Sequence, residues 1–186
     1  MKVVFAIILT SATGCALLGK SEPLAPHYYS PEKATPAAAA AKAPEGTALR
    51  LGLISAGSDI RKNLVIRVAE QELAYDEEQR WTEKPEAYLR RSLARALFEE
   101  RGVRRVISGP ATALEVELVA FEEVEGPPHR VRVSAVVIVH DEREVKLEKT
   151  FTVERPVSDN ATEAVVSAMG DALLDLVSQI ADAATR

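Results

Sequence analysis

Val131-Arg132-Val133-Ser134-Ala135-Val136-Val137-Ile138-Val139 decides the fold. Val131, Val133, Ala135, Val137 and Val139 fall on one face, the two-residue period of an extended strand, and β-branched side chains suit a pleated surface. The segments on either side repeat the pattern. Before it, Leu114, Val116, Leu118 and Ala120 alternate with Glu115 and Glu117. After it, Val145, Leu147, Phe151 and Val153 line one face, with Lys146, Glu148, Thr150, Thr152 and Glu154 opposite. Gly126-Pro127-Pro128 separates the first pair of strands, and the polar run His140 to Glu144 separates the second. Connections this short predict an antiparallel meander with one packed face and one wet face.

Working outward, the period changes to that of a helix. From Pro85, Leu89, Leu93, Ala96 and Leu97 recur at three- and four-residue steps, with Pro85 near the first turn and Gly102 just past the end. A second helix starts near Asn160, read as its cap, with Glu163 placed to complete a capping box. Its apolar stripe is Ala161, Val165, Ala168, Ala172, Leu173, Leu176 and Ile180. Towards the N-terminus, Leu49, Leu51 and Leu53 suggest a strand, Leu64 to Val68 a second and Glu72 to Tyr75 a third, and Val103 to Ile107 adds a short one. The expected architecture is α+β: a mainly antiparallel sheet with two helices packed on one face.

The first fifteen residues have the layout of an export signal. Lys2 precedes a short apolar stretch, Val3 to Leu9, and then Ala12-Thr13-Gly14-Cys15. The apolar part is too short to span a bilayer. The segment resembles the lipobox of bacterial lipoproteins, in which the cysteine is lipidated and becomes the first residue of the mature chain; the plainer alternative is a free cysteine in an ordinary leader. The resemblance implies that residues 1–14 are a signal peptide, that Cys15 is the lipidation site, and that the protein is membrane-bound through its N-terminus. Ala16 stands where Asp commonly marks inner-membrane retention, so the chain resembles the outer-membrane class, facing the periplasm. Residues 15–47 read as a tether, because Pro23, Pro26, Pro31, Pro36, Pro44 and the run Ala37 to Ala41 suit extended chain better than regular structure. His27-Tyr28-Tyr29 interrupts it, and those aromatics could dock on the domain or sit at a membrane interface. Residues 48–186 are then the folded domain.

Composition narrows the function. The chain has 186 residues, a formal net charge of −5 and a single cysteine. One core fits that length, no intrachain disulfide is possible, and scattered charge of both signs disfavours nucleic acid. His27, His129 and His140 have no ligand-like spacing, so no metal or other cofactor is expected. No serine sits in a nucleophile elbow, Gly52 to Gly57 lacks the ending of a phosphate loop, and the consecutive acids Asp76, Glu77 and Glu78 cannot all face one pocket. No catalytic residue is expected, and the chain reads as a non-enzyme.

The least generic stretch is Ala74-Tyr75-Asp76, followed by Arg80-Trp81 and then Pro85. Trp81, the only tryptophan, either plugs the end of the core or forms a contact surface, since indole offers wide apolar area and one donor. With Leu114 to Phe121, Phe151, Pro156 and Ala168-Met169 downstream, and the lipobox and Tyr28-Tyr29 upstream, this order resembles the ABC-type transport auxiliary lipoproteins, components of envelope lipid-transport systems that carry MCE proteins. The resemblance implies a non-catalytic accessory that docks on or stabilises an MCE-protein assembly through which phospholipid passes between membranes. It leaves open whether the chain touches lipid itself. Tyr75, Arg80, Trp81 and Pro85 are the candidate partner-binding residues. The competing class is an envelope lipoprotein with a structural or assembly role and no transport partner.

Overall fold

The computed structural model describes residues 25–33 and 48–186. In chain order these form β1 (His27–Tyr29), β2 (Ala48–Ala56), β3 (Asn63–Ala69), β4 (Glu72–Trp81), α1 (Pro85–Ala94), β5 (Arg104–Arg105), β6 (Thr112–Val124), β7 (Arg130–His140), β8 (Val145–Pro156) and α2 (Thr162–Ala184). The signal segment, Cys15 and most of the proline-rich stretch lie outside the described residues.

β6 is the spine of the sheet. One of its edges pairs antiparallel with β7 from Ala113 to Val124. Its other edge is shared: β2 runs parallel along Thr112 to Leu118, and β3 runs parallel along Glu122 to Val124. β2 and β3 thus lie end to end, and the detour between them is tied down where the Gly57 N–H donates to the Leu118 carbonyl at 2.9 Å. β4 pairs antiparallel with β3, β8 pairs antiparallel with β7, and the short β1 and β5 add parallel to β4 and β2. The sheet is mixed, with its longest pairings antiparallel, and the meander β6–β7–β8 is the one that the alternation predicts.

Both helices cover the same face. α2 lies over β7 and β8 and reaches β6, while α1 lies over β2 and touches α2. Val131, Val133, Ala135 and Val137 are fully buried beneath them, against Leu89, Leu93, Leu173 and Leu176. Each of these valines and leucines stabilises the fold by roughly 1.5–3 kcal/mol relative to exposure. α1 starts with Pro85 at its first position, where a missing N–H costs nothing, and widens into a π-type turn over Arg95–Glu100. Gly102 at φ 65° then turns the chain towards β5. Among the described residues, α2 is the one helix long and apolar enough to cross a bilayer, and most of its apolar stretch is packed inside the domain.

Three expectations are corrected. A bulge between Leu118 and Ala120 shifts the strand phase, so Phe121 takes the core position that the alternation gave to Ala120. A second irregularity, between Val139 and His140, turns Val145 outwards to 57% exposure. At the start of α2 the cap position is Ala161, not Asn160, and no side chain caps the helix. The Asp159 carboxylate instead accepts the Ala161 N–H at 2.7 Å, which fixes the turn one residue ahead of the expected box.

Candidate functional site

The segment 25–33, read from its prolines as tether, is part of the fold. β1 extends the sheet beyond β4, with Tyr28 opposite Arg80 and Tyr29 opposite Trp81, and the Thr82 N–H donates to the Tyr29 carbonyl at 2.9 Å. Docking is therefore the reading of His27-Tyr28-Tyr29 that the structure adopts. A boundary at residue 48 is too late. Three residues of strand leave little periodic signal, and proline is tolerated at a strand's edge.

Beyond β1 the chain straps across the helices. Pro31 is buried against α2 at Gly170, where any Cβ would lie 2.3 Å from the Pro31 carbonyl oxygen. Glu32 and Arg91 of α1 meet in a fork: Arg91 Nε donates to Glu32 Oε1 and Nη2 to Oε2, both at 3.0 Å. The third arm of the guanidinium, Nη1, reaches Glu83 Oε2 at 2.6 Å. These carboxylates, Glu32 first and then Glu83, hold the Arg91 pKa above its ordinary value. Lys33 Nζ donates to Asp171 Oδ1 at 2.6 Å. All of these heads are partly exposed, and such pairs contribute about 0.2–1 kcal/mol each. The buried proline and the β1 backbone bonds therefore hold the strap, and the ion pairs fix its position. Between strap and helices lies an open groove of about 440 Å3, lined by Pro31, Glu32, Arg91, Arg95, Leu173 and Leu174 among others.

The four sequence-predicted contact residues do not form one surface. Trp81 is 1% exposed and packs edge-on against Phe121, ring centroids 5.3 Å apart at 67°. Of the two roles the sequence left open, the ring plugs the end of the core. Pro85 is buried at the start of α1. Arg80 is half-buried, with its backbone between Asn63 of β3 and Tyr28 of β1. Tyr75 is the exposed member, at 40%, with the Arg61 guanidinium 5.9 Å from its ring centroid. Between Tyr75 and Arg80 the pairing of β4 with β3 breaks, and the Asp76 carboxylate accepts the N–H groups of Glu78 and Gln79, both at 2.8 Å.

The structure adds groups that the sequence reading passed over. Tyr88, fully buried on α1, has its hydroxyl 2.7 Å from Thr82 Oγ1 and accepts the Glu83 N–H at 2.9 Å, so it locks the loop after Trp81. On the sheet face away from the helices, Glu122 is 2% exposed between two arginines. Arg67 donates to it through Nε at 2.9 Å and Nη2 at 3.0 Å, and Arg132 through Nε at 2.8 Å and also through Nη2. The bond to Glu122 is the main cause of the raised Arg67 pKa. Gly170 was readable in principle, since glycine inside a long helix costs stability and marks a close approach. Among the described residues, no group of three His, Cys, Asp or Glu side chains could hold a metal ion.

A family model described as ABC-type transport auxiliary lipoprotein component matches residues 29–181. It begins inside β1, which supports counting that strand within the domain. No curated protein matches the chain in sequence. Among solved structures, XCC0632 from Xanthomonas campestris superimposes with a TM-score of 0.69 at 23% identity, over 86% of this chain and 94% of that one. The hypothetical protein CT253 from Chlamydia trachomatis does so with a TM-score of 0.52 at 11% identity, over 75% and 95%. At these identities the likeness concerns the fold. The family match, which spans the strap, the sheet and both helices, carries more. The chain belongs to the ABC-type transport auxiliary lipoprotein family and is a lipid-anchored, envelope-associated auxiliary component.

Proposed function

We propose that this protein is a non-catalytic accessory of an MCE-type phospholipid transport system. It is anchored through lipid on Cys15 to the outer membrane, faces the periplasm, and docks on an MCE protein to hold the envelope-spanning assembly in place. The observation that best supports the reading is the strap. The chain from His27, about twelve residues downstream of the candidate anchor, is built into the sheet edge and laid over both helices, so on this reading only a short segment separates the folded domain from its membrane attachment. That suits a part whose task is to fix the position of another. The core is filled by interlocking side chains, and the groove beneath the strap is open, which favours docking over enclosure of a lipid.

The test is recovery of partners from detergent-solubilised membranes with the full-length tagged chain. Co-purification of an MCE protein, lost when Cys15→Ser frees the domain from the membrane, is the expected result. Recovery of the lipidated protein alone under gentle extraction would remove the transport partner from this reading.

A further inference from the structure

β8 is the long open edge of the sheet. It pairs with β7 alone, whereas the opposite rim is finished by the three-residue β1 and the two-residue β5. Along Val145–Pro156, one side of a 12-residue strand therefore has no described strand beside it. An edge of this length is a template for another strand unless its charges forbid pairing. β8 carries Lys146, Glu148, Lys149, Glu154 and Arg155, so their order decides what can add there.

A second copy could pair antiparallel about a two-fold axis perpendicular to the sheet. That axis keeps the helices of both copies on the same side. Facing residues must then share a sheet face, so their numbers differ by an even amount. Centring the pairing on Glu148 or on Lys149 sets that charge against itself. Centring on Phe151 opposes Glu148 to Glu154, and centring on Thr152 opposes Lys149 to Arg155. Like charges directly opposite destabilise a pair of strands. Centring on Leu147 or Val153 avoids like charges but pairs only five or seven residues of the strand, whereas centring on Thr150 avoids every such clash and pairs eleven, Val145 to Arg155. Lys146 then faces Glu154, Leu147 faces Val153, Lys149 faces Phe151, and Thr150 faces itself. Opposite-charge and Thr–Thr pairs are both favourable cross-strand partners.

The surroundings agree. Lys146 Nζ already lies 3.0 Å from Asp141 Oδ2, and Arg130 Nε lies 3.1 Å from Glu154 Oε2. The pairing would join these into an alternating chain, Asp141–Lys146–Glu154–Arg130, twice over. α2 sits above β7 and β8, so the same axis sets two copies of α2 side by side. Open grooves of about 540 Å3, beside Arg155 and Ala168, and about 720 Å3, beside Leu147 and Phe151, flank α2 along this border and give the neighbouring copy room to pack.

We propose that the β8 edge is a self-association surface, on which a second copy of this chain adds in an antiparallel two-fold pairing centred on Thr150. The test uses the full-length chain in mild detergent. Thr150→Cys places two cysteines directly opposite, with Cα atoms about 4.5–5.5 Å apart, within the span of a disulfide. Mild oxidation should give a covalent dimer of Thr150→Cys. It should give little for Glu148→Cys, and none for the unsubstituted chain, whose only cysteine is Cys15. Lys146→Glu should weaken self-association about tenfold, as two facing pairs become repulsive. Sedimentation of the unsubstituted chain decides the matter whatever the variants do. A monomer at micromolar concentration overturns the proposal, even if a partner protein's strand is later found on this edge. So does an oligomer whose Glu148→Cys form cross-links better than its Thr150→Cys form.

Discussion

Trp81 shows how a residue with the composition of an interface anchor can be spent on the core. Its ring closes the end of the sheet against Phe121, so Trp81→Ala should cost about 3–5 kcal/mol of stability, as buried aromatics do. Urea denaturation checks this, and a loss under 1 kcal/mol would return Trp81 to the surface. Glu122 makes a second prediction. It sits buried between Arg67 and Arg132, whose own side chains are partly exposed, so Glu122→Ala leaves two guanidinium groups side by side that water can reach, with an expected cost of about 1–3 kcal/mol. The same denaturation series reads it, and an unchanged midpoint would show that water, not Glu122, satisfies those arginines. Asp141 gives a pH test. The Arg143 N–H, then Lys146, then the Glu144 N–H lower its pKa from 3.8 to about 2. The folded chain prefers the carboxylate, so this contribution to stability is complete above pH 3.8 and is lost as pH falls towards 2. An NMR titration of Asp141 in the folded protein should have its midpoint near 2. A midpoint at the ordinary value would mean that the turn does not hold the carboxylate.

At the scale of elements, legibility in the sequence followed length. β7 and β8 carry enough alternation to be read directly, and α1 shows Pro85, a Leu-rich stripe and Gly102 in order. What escaped was short or out of phase. β1 has three residues, and the bulge at Val119 moved the core position from Ala120 to Phe121. Pairings of β2 and β3 with the same edge of β6 depend on contacts distant in sequence, which no local pattern encodes. Of the site, Trp81 was picked out as the only tryptophan and Pro85 as the helix start that follows it, and both are buried, whereas the strap residues Glu32, Arg91 and Gly170 look ordinary until the fold brings them together. Gly170 supplies the test of this element. Gly170→Ala puts a methyl group 2.3 Å from the Pro31 carbonyl oxygen, too close to persist. The strap must lift, while the helix itself gains from alanine. Limited proteolysis should then cut near Pro31 much faster than in the parent, with the sheet core still resistant. Equal cutting in both would show that Pro31 does not seat in the Gly170 notch.

At the scale of the molecule, the strand β1 and the strap bring residues 27–33 into the fold ahead of residue 48. A chain beginning at Ala48 should melt at a lower temperature than one beginning at Ala25, because it uncovers the edge of β4 and the Trp81 end of the core; equal melting curves would make the N-terminal segment decorative. The same feature sets the leash. With lipid on Cys15, as proposed, a domain free until residue 48 could wander about 110 Å from the bilayer, at a limit of ~3.3–3.6 Å per residue. A domain gripping its own chain from His27 onwards leaves about twelve residues between that lipid and the sheet, which at the same limit is a reach of about 40 Å. The proline-rich stretch after Lys33 then adds nothing to that distance, and its length is free to vary without moving the domain. On the proposed anchoring and docking, the partner is held close to the membrane that carries the lipid.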